Sequence, residues 1–112
     1  MCGIAGIIDL SKSEINTDTV NKMCDNMYHR GPDVGNVIKL DNATLGHRRL
    51  SILDLSSAGN QPMTANDGKY WIVFNGEIYN HKELRDILIK DGYQYRTRTD
   101  TETLLYGYQK WG

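Results

Sequence analysis

Met1-Cys2-Gly3-Ile4-Ala5-Gly6-Ile7-Ile8-Asp9 opens the chain. An apolar run punctuated by two glycines and closed by an aspartate reads as a β-strand over residues 3–9, with close backbone approaches at the glycines. The cysteine ahead of it carries the chemistry. Removal of Met1 would leave Cys2 with a free α-amine beside its own thiol. An α-amine titrates near pH ~8 and a thiol near ~8.5, so the amine can accept the thiol proton at neutral pH. Nucleophile and base would then be one residue, and no His–Asp pair is required elsewhere. The competing reading makes Cys2 an ordinary buried strand residue, because free cysteine is among the most buried residue types. On position alone that plainer reading is the commoner one.

The rest of the composition narrows the field. A chain of 112 residues holds one domain at most, with a modest core. Thirteen basic against fourteen acidic residues give a net charge of -1, so there is no basic excess to hold nucleic acid. Two cysteines, Cys2 and Cys24, form neither a C-x-x-C pair nor part of a metal-ligand cluster. A reactive thiol of this kind fits a reducing cytoplasm. The opening run has no basic flank, so it is not read as a secretory signal, and no apolar run approaches membrane-spanning length. Asn42-Ala43-Thr44 matches a glycosylation acceptor, which is empty without secretion.

Along the chain, helix and strand signals alternate. A helix is expected over 17–28, capped by Asn16, with Val20, Met23, Cys24 and Met27 on one core-facing stripe. His29-Arg30-Gly31-Pro32-Asp33 breaks it. Strands are expected at 35–40 and 43–49, turning at Asp41-Asn42, before a loop over 56–62. Asn66-Asp67-Gly68 signals a hairpin leading into Tyr70-Trp71-Ile72-Val73-Phe74, an unbroken run that reads as a buried core strand. A helix over 81–90 has Asn80 as cap, Glu83 three residues on and Gly92 past its end. Residues 93–96 read as a short strand and 97–100 as a loop. A last helix over 101–110 places Leu104, Leu105 and Tyr108 on one face.

In order, Cys2-Gly3-Ile4-Ala5-Gly6, His29-Arg30-Gly31-Pro32-Asp33, Gly46-His47-Arg48-Arg49-Leu50-Ser51-Ile52, Gly59-Asn60-Gln61-Pro62-Met63, Asn75-Gly76-Glu77-Ile78-Tyr79-Asn80 and Thr99-Asp100-Thr101-Glu102 form six blocks spread from end to end. The chain carrying them resembles class II glutamine amidotransferase domains, and most closely the glutaminase domain of glutamine-hydrolysing asparagine synthetases. The Pro-Asp after Arg-Gly, the Arg-Leu-Ser-Ile run and the Glu-Ile-Tyr-Asn run favour that branch over the sugar-phosphate and phosphoribosyl branches. Related synthetases acting on a sugar or another carboxylate remain the alternative.

The resemblance implies an α+β fold, the N-terminal-nucleophile hydrolase αββα sandwich with antiparallel sheets. It implies that Cys2 attacks the side-chain amide of glutamine, releasing ammonia and leaving a thioester that water hydrolyses to glutamate. Asn75 and Gly76 would form the oxyanion site, one through its side-chain amide and the other through its backbone N–H. Arg49 would hold the α-carboxylate, for which a planar guanidinium fork is suited. Asp100 would hold the α-ammonium, with Glu77 and backbone groups at Leu50 and Ile52 completing the pocket. Taken without the resemblance, Asn75-Gly76 is a turn, Asp100 a helix cap and Arg49 a solvated strand residue. Arg48 is expected to face solvent on the other side of the strand. Arg30 is expected to brace the first strand. His29 and His47 are expected to be structural hydrogen-bonders and His81 a surface residue in the first helical turn.

A domain of this kind is expected to be longer than 112 residues, so the chain reads as its first part. No Ser-Gly-Gly-x-Asp-Ser loop and no G-x-x-x-x-G-K-[ST] occurs in the chain. ATP and Mg are therefore expected only with a synthetase domain outside it, and no cofactor or metal is expected within it. Glutamine, that ammonia-accepting domain and a homodimer of the full-length protein are the expected partners. The non-enzyme alternative is an inert fragment or binding module.

Overall fold

A computed structural model describes residues 2–11, 17–51, 56–65 and 67–112. Helices and antiparallel sheets alternate along it, an α+β arrangement. The first group of elements is a three-stranded sheet in the order β1-β3-β2, built from β1 (Gly3–Ile8), β2 (Val34–Lys39) and β3 (Ala43–Arg49). Leu40 N–H bonds to Ala43 O at 2.7 Å, so the β2–β3 hairpin turns through Asp41 and Asn42 as expected. β1 pairs antiparallel with β3, Gly3 opposite Arg48 and Ile8 opposite Ala43. Side chains alternate across a strand, so 44, 46 and 48 share one face of β3 and 45, 47 and 49 the other.

Helix α1 (Thr17–Asn26) lies on the first of these faces and buries Val20 and Cys24. It ends two residues before the expected boundary, and its expected cap, Asn16, lies outside the described residues. The predicted stripe is only half realised: Met23 is 40% exposed, and Met27 falls in the turn beyond the helix, against Gly3. The helix can sit this close because position 46 has no side chain. A Cβ there would stand 2.4 Å from Cys24 Sγ and 3.0 Å from Val20 Cγ1. Gly46→Ala is therefore expected to destabilise the chain by about 1–3 kcal/mol, the usual cost of overpacking. Denaturant melts should show most of that loss recovered in Gly46→Ala/Cys24→Ala. No recovery would place the cost elsewhere.

The second group holds β4 (Met63–Thr64), β5 (Trp71–Ile72), α2 (His81–Lys90) and α3 (Asp100–Trp111), preceded by one 3-10 turn at Ser57–Gly59. Ala65, Leu88 and Tyr106 form its buried core, with Tyr93 and Tyr95 packed against it. Helix α2 closes in a Schellman turn. Gly92 takes φ +97°, its N–H bonds to Ile89 O, and Tyr93 N–H reaches back to Leu88 O. At the other end Asn80 occupies the cap position but makes no side-chain cap bond.

Three expectations are corrected here. The run 70–74 is a strand only at Trp71–Ile72, and its residues are partly exposed rather than buried. Its partner fails first: continuing the register beyond Met63–Ile72 would pair Val73 with Pro62, which has no N–H to give. The stretch 93–96 is not a strand. Arg96 N–H and Thr97 N–H point to the Glu102 carboxylate instead of a neighbouring strand. On α3, Leu105 and Tyr106 are buried, whereas Tyr108 is 59% exposed and meets Tyr70 edge-on at 5.2 Å.

Candidate active site

A cavity of about 310 Å³ opens where the two groups of elements meet. Its wall takes residues from the start of β1, the end of β3, the loop after β5 and the beginning of α3. Cys2, Arg49 and Leu50 line it from the first group. Asn75, Gly76, Glu77 and Asp100 line it from the second. Seven of the eight site residues expected from the sequence therefore share one cavity, and the eighth, Ile52, lies outside the described residues.

Cys2 sits just before β1, half-buried. Leu50 N–H donates to its sulfur at 3.3 Å, and Leu50 O stands 3.6 Å from the same atom. Arg30 Nε donates to Cys2 O at 3.3 Å, a brace on the opening backbone. The other thiol differs: Cys24 is 4% exposed beneath the sheet, and burial pushes it up from its ordinary range, opposed by Arg48 and reinforced by Asp25.

Arg49 ends β3 and is 6% exposed, so it is no solvated strand residue. Its Nη1 donates to Ser56 O and to Asn60 Oδ1, each at 2.6 Å. Gly59 makes room for it, since a Cβ there would lie 2.6 Å from Nη2. Arg48 faces the other side but not open solvent. Its Nε donates to Gly31 O at 2.8 Å and its guanidinium lies 4.9 Å from the Tyr28 ring centre.

Asp100 is the first residue of α3 and is 6% exposed. Its Oδ2 accepts Ile78 N–H at 2.8 Å, tying the loop after β5 to the helix. Asn75, Gly76 and Glu77 are exposed on that loop. The backbone bends at Gly76, as expected, without a positive φ. Its lack of a side chain matters differently: a Cβ would stand 2.7 Å from the Phe74 ring.

Sequence reasoning did not place His47 and Gln61 at this site. His47 is 1% exposed, on the wall of the cavity. Its Nε2 lies 3.3 Å from Phe74 O. A carbonyl oxygen only accepts, so Nε2 carries the proton, and Nδ1 is buried with no hydrogen-bond partner among the described residues. Burial holds this imidazole below its ordinary range, the Phe74 bond opposes that, and Arg49 adds to it. Gln61 is 7% exposed and bonded at both ends of its amide. Its place in the Asn-Gln-Pro block was the available signal, but a side chain that bonds to backbone and to a threonine has no spacing to betray it. His29 is exposed in the turn after α1. Among the described residues, no group of three His, Cys, Asp or Glu is placed to hold a metal ion. No helix among them is long and apolar enough to cross a membrane.

The family profile described as a glutamine amidotransferase domain matches residues 1–112. The chain belongs to the glutamine amidotransferase family. Its relatives sharpen the placement. It is 40% identical over 112 residues to the glutamine-hydrolysing asparagine synthetase 1 of Bacillus subtilis, covering 97% of this chain and 18% of the relative. It is 41% identical over 118 residues to asparagine synthetase B of Escherichia coli, covering 100% and 20%. A probable asparagine synthetase of Schizosaccharomyces pombe is 36% identical over 113 residues, again covering 100% and 20%. This amidotransferase chain thus spans about a fifth of the length of the curated relatives it matches.

Proposed function

We propose that this chain is the glutamine-hydrolysing part of an asparagine synthetase-like enzyme of the cytoplasm, working with an ammonia-accepting, ATP-dependent domain. The fold reading that accompanies it is the N-terminal-nucleophile sandwich, of which α1 on the β1-β3-β2 sheet would form one helical and one sheet layer. The observation that carries the reading is the convergence of Cys2, Arg49, Asp100 and the Asn75-Gly76 loop on one cavity.

The reaction needs no cofactor. With Met1 removed, the α-amine of Cys2 takes the thiol proton, and Sγ bonds to the amide carbon of glutamine. Charge builds on the amide oxygen, where the Asn75 side chain and Gly76 N–H donate to it. The carbon–nitrogen bond breaks and the nitrogen leaves as ammonia, carrying the proton held by the amine. Water then attacks the thioester, its proton passes through the same amine to Sγ, and glutamate departs. Arg49, buried and held by Ser56 and Asn60, presents the rest of its fork to the α-carboxylate. Asp100 offers its second oxygen to the α-ammonium, the first being committed to Ile78. Glu77 and the backbone of Leu50 complete the amino-acid end of the pocket.

Steady-state ammonia release tests the oxyanion assignment. Asn75→Ala is expected to lower kcat about 10²–10³-fold, the usual cost of one oxyanion donor, with a smaller change in KM. The side chain is exposed, so the melting temperature should barely move. An unchanged kcat would remove Asn75 from the chemistry.

A further inference from the structure

We propose that Gln61 is a specificity-determining positioning residue, a strut that fixes the span between the loop receiving the amide end of the substrate and the carboxylate receiving its ammonium end. The proposal rests on the glutamine reading of the cavity and adds to it the part that measures substrate length.

The side-chain amide of Gln61 bridges two elements. Its Oε1 accepts Phe74 N–H at 2.6 Å, and its Nε2 donates to Thr101 Oγ1 at 3.2 Å. Phe74 immediately precedes Asn75, and Thr101 immediately follows Asp100. One rigid, planar group thus holds the neighbours of both proposed substrate contacts. The β4–β5 register explains why a side chain does this. Beyond Met63–Ile72 the ladder would run through Pro62 to a Gln61–Phe74 pair. The ladder ends at Met63–Ile72, and Phe74 N–H is taken by the Gln61 side chain. His47 holds the same residue from its other side, through Phe74 O. At the far end of the loop, Asp100 Oδ2 takes Ile78 N–H. The loop is tied at both ends, once through Gln61 and once through Asp100 itself.

A glutamine molecule spanning this gap must match it to within a fraction of a bond length, because about 1 Å of misplacement can cost roughly 10²-fold in rate. Asparagine is one methylene shorter, and a fixed span rejects it. The strut therefore acts on discrimination as well as on rate. Removing it lets both walls shift relative to each other and relaxes the length requirement.

The test uses the protein freed of Met1 and two diazoketone amino acids. One has its carbonyl at the position of the glutamine amide, and the other is a methylene shorter. Labelling rates are followed by intact mass. The unaltered protein is expected to prefer the longer reagent by roughly tenfold or more, the scale of one methylene. Gln61→Met keeps length and volume but loses both bonds. It is expected to label about 10²-fold more slowly with the longer reagent and to lose most of the preference. Thr101→Val cuts one end only and should fall between; it also reads the ratio if Gln61→Met does not fold. Slower labelling at an undiminished ratio would make Gln61 mere packing and overturn the proposal. No labelling of the unaltered protein by either reagent would instead overturn the glutamine reading, and the proposal with it.

Discussion

Replacing Cys2 with alanine is expected to bring glutamine-dependent ammonia release to background. A covalent mechanism keeps only binding and oxyanion stabilisation once its nucleophile is gone, and losses of about 10⁴–10⁶-fold are typical. The fold should be untouched, because Cys2 is half-buried and, among the described residues, its sulfur hydrogen-bonds only to the backbone of Leu50. A glutamine-mimicking electrophile should modify Cys2 and spare Cys24, which lies beneath the sheet with its thiol pushed up by burial. The α-amine enters the same experiment. A form that retains Met1, or carries an added residue before Cys2, should fold normally and release no ammonia. Labelling at Cys24, or full activity in the extended form, would separate Cys2 from its proposed role.

Glu102→Ala is expected to cause the largest loss of stability. Glu102 is 1% exposed in the first turn of α3. Its carboxylate accepts Arg96 N–H, Thr97 N–H and the Thr97 hydroxyl, at 2.8–3.1 Å. Arg96, itself half-exposed, approaches at 3.9 Å and adds little. Truncation leaves donors without an acceptor, each costing about 1–3 kcal/mol where it is buried. A total near 3 kcal/mol would lower the melting temperature of a domain this size by roughly 10–20 °C. Glu102→Gln keeps an acceptor oxygen and should lose markedly less. Equal losses in the two variants would show that shape, not acceptance, is what the position supplies.

How far the sequence could be read follows from where each hydrogen bond goes. α1, β1, β2, β3, α2 and α3 were readable to within a residue or two, because their patterns are local: Val20 with Cys24 on one helical stripe, Gly92 past the end of α2, Asp41-Asn42 between two strands. The run 70–74 misled because its length as a strand was decided by Pro62, on the other side of the hairpin. Residues 93–96 misled because Glu102, on the next helix, takes the backbone donors a strand would have shared. At the cavity, the candidate residues came from the resemblance, and the seven of them among the described residues share a wall. What holds that wall was not readable. His47 and Gln61 work through backbone groups of Phe74, and backbone groups carry no sequence signature.

The cavity draws on Cys2 at one end of the chain and on Asp100 near the other. On a ribosome these do not arrive together. At about 5–20 residues per second, roughly 5–20 s pass between synthesis of the first residue and of the carboxylate. The β1-β3-β2 sheet and α1 can close on themselves in that interval, since all their residues precede position 50. The thiol therefore reaches its place in the sheet before the Asn75 loop and Asp100 exist to complete the cavity beside it. Timing thus separates the placing of the thiol from the making of the cavity, and a nascent chain carries the first for seconds without the second.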